Sequence, residues 1–182
     1  MAERRLHLDA ISGWEAAVLA SIAGAQGTVE ERDAQIARSG FYREYPAVLR
    51  AYLALLDDPS ARLEALKRAL FIVWCGAVEP APRCGIHELP ERDVRTTFAE
   101  LESFARRGGG DDELRWMLAW YVERAPWLFE AYAASPILGH FLGDVAPDAW
   151  RAMAVAPGAL MNRGQMGQYW RSVVQGRLTG GV

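Results

Sequence analysis

Lysine is all but missing from this chain of 182 residues: Lys67 stands alone among 20 cationic side chains, the rest being arginine. Together with abundant alanine and glycine, that bias is sufficiently explained by a GC-rich bacterial genome, so a bacterial source is expected. Cysteine occurs twice and histidine three times. Two cysteines make no disulfide framework, and three histidines leave little material for a zinc site or for imidazole catalysis. No apolar run reaches the ~18 residues that span a bilayer, so no membrane association is expected. Residues 1–9 hold Glu3, Arg4, Arg5, His7 and Asp9 without the apolar segment of a secretory signal, and the location expected is cytoplasmic. Apolar and polar residues nowhere alternate long enough to argue for a strand.

What is present is helical. A hydrophobic fraction of 51% at this length supplies one real core without staples. The fold class is all-α: a single-domain array of about eight or nine helices without a sheet, spanning residues 1–176, with 177–182 as a frayed tail. Asp9 is read as the cap of a first helix whose apolar row is Ile11, Trp14, Val18 and Ile22. Thr28 and Glu31 form a capping box for a polar second helix ending near Gly40. Pro46 opens a third helix, and Asp58 with Pro59 caps a fourth that carries Leu63, Leu66, Leu70, Val73 and Trp74 into the core. Pro90 opens a fifth. Asp111 caps a tryptophan-rich helix that Pro126 kinks or breaks. Short helices begin at Ser135–Pro136 and at Pro147, the latter with Trp150 and Met153, and a last one runs from about Gln165 to Gln175.

Several residue sets have the composition of a site. Cys75, Cys84 and His87, with Glu79 or Glu88, are zinc-ligand types in the one long connection. Zinc motifs space their cysteines about two to four residues apart, whereas these are nine apart, so neither metal nor cofactor is expected. A disulfide between them is disfavoured in a reducing cytoplasm. Cys84 with His87, and His140 with Asp144, lack the surroundings of a nucleophile and its base. The acidic clusters at Asp57–Asp58 and Asp111–Glu113 sit where helix caps belong. Gly108–Gly110 follows a helix and has no P-loop lysine or hydroxyl. Residues 1–144 hold 16 cations against 22 anions, and residues 145–182 four against one. Four dispersed arginines are too few for a nucleic-acid footprint.

Two segments remain. Trp116, Trp120, Glu123, Trp127 and Glu130 fall in a stripe roughly 80° wide on one helix, opposite Leu114, Leu118, Tyr121, Ala125, Leu128 and Tyr132. Such a stripe either packs between two layers or lines an aromatic, acidic cleft that would bind a ligand through Trp116, Trp120, Glu123, Trp127 and His87. Solvent-facing glutamates at 123 and 130 would mean packing. In the segment Arg163–Arg171, Gly164 and Gly167 permit close helix approach or an anion nest, and Arg163, Tyr169, Trp170 and Arg171 make a candidate interaction surface. The function expected is a non-enzymatic protein-binding or regulatory module, adaptor-like or immunity-like, with a protein partner and room for a homodimer. The rival is a small-ligand binder or enzyme built on the Trp116–Glu130 cleft.

Overall fold

The computed structural model describes residues 2–132, 135–146, 149–151, 156 and 158–178, with the backbone alone for 2–7, 149, 177 and 178. These residues form ten α-helices and three short 3-10 turns, and no strand occurs among them. Helix α1, Ala2–Ala23, starts seven residues before Asp9, because the preceding residues are good helix formers and simply extend it. Its buried row is Ile11, Ser12, Glu15, Val18 and Ile22. Trp14 turns to the edge and donates its indole N–H to Glu44 at 2.7 Å. Helix α2, Val29–Ser39, carries the expected capping box at Thr28 and Glu31 and ends at Gly40. Ile36 alone of its residues is buried.

Helix α3, Glu44–Ala54, leads through a 3-10 turn to Asp58. There the expected cap shifts: Asp58 takes the N–H and hydroxyl of Ser60, both at 3.0 Å, and closes a turn. Helix α4, Arg62–Val78, begins only after it. Every residue from Ala65 to Cys75 is buried, so α4 is enclosed on all sides. It packs against α3, against α6, Glu91–Arg106, against α7, Asp112–Arg124, and against α10, Gly164–Leu178. The connection from α4 to α6 is partly helical, with a single turn, α5, at Ala81–Cys84.

Helix α7, Asp112–Arg124, is capped by Asp111, whose carboxylate accepts from the N–H of Leu114 at 2.9 Å. Ala125 leaves the helical region at φ −142° and ψ 58°, and α8, Pro126–Tyr132, starts at once. The proline therefore breaks the helix rather than bending it. Helix α9, Pro136–Gly143, packs on α6. Of the helix expected from Pro147, the described residues Ala149–Arg151 form a 3-10 turn, and Pro147 and Met153 lie outside the described residues. Helix α10, Gly164–Leu178, packs on α1 and α4 and includes Arg177 and Leu178. No helix among the described residues is long and apolar enough to cross a membrane.

Candidate functional site

The tryptophan stripe is packing. Trp120 is 2% exposed and Trp116 is buried, and their rings close on Trp170 at centroid distances of 5.7 and 4.4 Å. Trp120 donates to the Tyr169 hydroxyl at 2.8 Å and meets Trp150 edge-on at 4.5 Å. Glu123 and Glu130 both face solvent, and Glu123 accepts from the Trp150 indole at 2.8 Å. Beyond the break at Pro126, Trp127 is 55% exposed. His87 is exposed and stacks on Tyr42 at 5.0 Å, not on a tryptophan. The five residues expected to line one cleft thus belong to the core, the surface and a separate loop, because rings at helical spacing found aromatic partners to bury against.

The expected interaction surface divides in the same way. Trp170 is fully buried and donates to the Tyr121 hydroxyl at 3.1 Å, so it anchors the core and is closed to a partner. Tyr169 is half-buried. Arg163 lies inside, and Arg171, half-buried like Tyr169, places Nη1 2.9 Å from the sulfur of Met161.

Arg163 leads instead to a set of buried charges. Its guanidinium donates to Glu64 through Nε at 2.7 Å and to Glu113 through Nη2 at 3.0 Å, with further short bonds from Nη1 and Nη2. Lys67 is buried and reaches Asp111 at 2.6 Å as well as Glu113. Although burial works against ionisation of Glu113, hydrogen bonds from Arg163 and Lys67 outweigh it and hold its carboxyl below the usual value. Arg68 donates to Glu64 at 2.7 Å, to the Tyr52 hydroxyl at 3.3 Å and to Ser12. Buried charge survives when it is paired and hydrogen-bonded, and here α4, α7 and the start of α10 supply each other's counter-charges.

Glu15 closes the chain of contacts. It is 1% exposed, accepts from the Tyr52 hydroxyl at 2.6 Å and lies 3.4 Å from the main-chain N–H of Gln165 in the first turn of α10. Burial pushes its pKa up to about 7, against the opposing pull of Tyr52, Arg68 and the Gln165 N–H. The carboxyl group that Gly164 accommodates is therefore a side chain of the protein itself, whereas Gly167 packs on the Leu160 carbonyl. Gly164 has φ +58°, and a Cβ there would overlap the Glu15 carboxylate.

Over this network lies an open cleft of about 380 Å³, lined among others by Asp9, Ser12, Asn162, Arg163, Gln168 and Arg171. A smaller recess of about 160 Å³ adjoins it, sharing Leu160 and Arg171 and adding Ala156, Met161 and Val174. Met161 is 54% exposed. A third recess holds the exposed His140–Asp144 pair at 3.4 Å, and none of its lining residues carries a hydroxyl or a thiol. Cys75 and Cys84 are free and buried, and no cluster of metal-ligating side chains forms among the described residues.

Sequence reasoning missed Glu15, Arg68 and the burial of Lys67. The signals were there. Glu15 completes the row of Ile11, Val18 and Ile22 at steps of four and three, and Lys67 and Arg68 interrupt the otherwise apolar run from Ala65 to Cys75. Compared with known protein families, with curated proteins and with solved structures, the chain matches none.

Proposed function

We propose that this chain is a non-enzymatic protein-binding or regulatory module of the bacterial cytoplasm, of adaptor or immunity-like kind. It engages its partner through the trough where α10 meets the turn at residues 158–162. One observation carries this reading: the two recesses joined at Leu160 and Arg171 place polar groups on one side and the exposed Met161 on the other. Interfaces are built from such an apolar contact with a polar rim, and arginine is favoured in them. The backing is fixed, because Arg163 is hydrogen-bonded to Glu64 and Glu113, and Ser12 to the Asn162 carbonyl. Arg163 and Ser12 are engaged with the protein itself, which suits a surface that binds rather than reacts. The partner segment that fits carries an acidic side chain for Arg171 beside a small apolar one for Met161 and Val174. The cationic excess of residues 145–182 favours the same kind of partner.

Selection from a displayed random-peptide library tests this. Enriched peptides should share an acidic residue next to an apolar one and should lose binding to Arg171→Glu and to Met161→Ala. Enrichment insensitive to both substitutions, or no enrichment, overturns the proposal.

A further inference from the structure

Arg115, in the first turns of α7, is left by the fold without a counter-charge. Its acidic neighbours are committed elsewhere: Asp111 accepts from the Leu114 N–H and from Lys67, and Glu113 accepts from Arg163 and Lys67. Among the described residues the Arg115 side chain pairs with no carboxylate, and its guanidinium lies over the ring of Phe141, 5.4 Å from the centroid. That ring is itself held in place. Phe141 is 8% exposed, and its tip reaches the turn at Gly110, where a Cβ would lie 3.8 Å from it. Arg115 and Phe141 belong to the wall of a recess of about 430 Å³ between the end of α6 and α9. Ile137, His140, Phe141 and Asp144 recur at helical steps and turn one face of α9 to it, and Ala105 and Gly108 contribute from the end of α6. Asp144 is engaged by His140 at 3.4 Å, which leaves Arg115 as the unpaired charge of the recess. Ile137, beside it, is 39% exposed.

We propose that this recess binds a small monocarboxylate with an apolar body, its carboxylate on the Arg115 guanidinium and its body against Pro136, Ile137 and Ala105. The volume is that of a small-molecule site, which runs from roughly 300 to 1,000 Å³, and apolar walls with one convergent polar group are how such sites fix a ligand's orientation. The guanidinium fork matches a carboxylate with two parallel hydrogen bonds. Covering the exposed Ile137 adds apolar burial at the other end of the ligand. Because Arg115 is already stacked on Phe141, little side-chain freedom is lost when the anion arrives. A cationic ligand finds no equivalent place: the one carboxylate in the wall is met by His140, and Arg115 repels it. The recess shares no lining residue with the trough at residues 158–162, so the two sites stand or fall separately.

Amide NMR spectra of the full-length chain, titrated with benzoate and with hexanoate at millimolar concentration, test this. Both acids should shift the amides of residues 105–115 and 136–144 in a saturable way. Benzyl alcohol lacks the charge, benzylamine reverses it and acetate lacks the apolar body, and each should bind about tenfold or more weakly than benzoate. Arg115→Met should reduce benzoate to the level of benzyl alcohol. Ile137→Asp, a change at an exposed position that sets an anion beside the ligand, should weaken benzoate by a similar factor. Arg83→Met removes an arginine that is 79% exposed on α5 and should leave the binding as it was. The ranking of ligands on the parent chain decides the matter even where Arg115→Met fails to fold. No saturable shift with either acid, equal binding of benzyl alcohol, a preference for benzylamine, or shifts confined to the trough would each overturn the proposal. So would a folded Arg115→Met protein that binds benzoate as the parent does.

Discussion

Glu15 sits where an apolar side chain would normally go, and its protonation is the price of that position. In the unfolded chain it ionises near its ordinary value of 4.5, and in the fold at about 7. Between those values the folded state holds the extra proton, so stability falls as pH rises. The contribution is fully present below pH 4.5 and is lost as pH passes through 7. The difference is on the order of 3 kcal/mol. Urea titrations from pH 4.5 to pH 8 should show that loss, and Glu15→Gln should remove this component of the slope while leaving stability above pH 7 higher than in the parent. An unchanged slope in Glu15→Gln would mean that other groups carry the pH dependence. The same contact makes Gly164 intolerant of change. At φ +58° any side chain costs of order 1–3 kcal/mol in the backbone alone, and Gly164→Ala would also press its methyl group on the Glu15 carboxylate. Thermal denaturation of Gly164→Ala should show a loss at or above that range. A neutral result would mean that α10 starts with a different backbone.

The helices themselves were largely legible, and the links between them were not. The Thr28–Glu31 box, the Asp111 cap and the break at Pro126 rest on bonds or clashes within about four residues, so the local sequence contains both partners. The network beneath the cleft pairs Glu15 with Tyr52, Lys67 with Asp111 and Arg163 with Glu64, across 37, 44 and 99 residues. No local pattern reports such a pair; a charged residue inside an apolar row shows only that a partner is needed. For the same reason the spacing of Trp116 and Trp120 favours packing but does not name what they pack on, which is Trp170 and Trp150. Arg163 is where the three elements are joined, and its removal should be felt in all of them. Arg163→Met leaves Glu64 and Glu113 facing each other without their shared cation. The expected loss is about 2–3 kcal/mol, below that of a fully dry pair because both carboxylates keep some contact with water. Adding Glu64→Gln should cost less than the sum of the two single losses, since the repulsion is then already relieved. Strict additivity in urea denaturation would place Glu64 and Arg163 outside a common network.

Taken as a whole, the molecule closes on itself through its last helix. Met166, Trp170 and Val173 of α10 enter the core, and the Trp170 ring lies against Trp116, Trp120 and Tyr121 at 4.4 to 5.9 Å. Losing one buried tryptophan costs about 3–5 kcal/mol, which is already comparable with the ~5–15 kcal/mol that holds an ordinary domain together. A chain ending after Asn162 loses that ring, its two apolar neighbours on α10 and the Arg163 guanidinium, and it leaves Glu15 without the first turn of α10. Such a fragment should retain helical circular dichroism but unfold without a cooperative transition and bind a hydrophobic dye, as a loosely packed state does. The full chain should instead show coincident transitions by tryptophan fluorescence and far-ultraviolet circular dichroism. A cooperative transition in residues 1–162 would mean that the helices before α10 hold a sufficient core of their own. The trough at residues 158–162 could then be rebuilt without disturbing the fold, whereas a non-cooperative fragment ties the proposed binding surface to the integrity of the whole core.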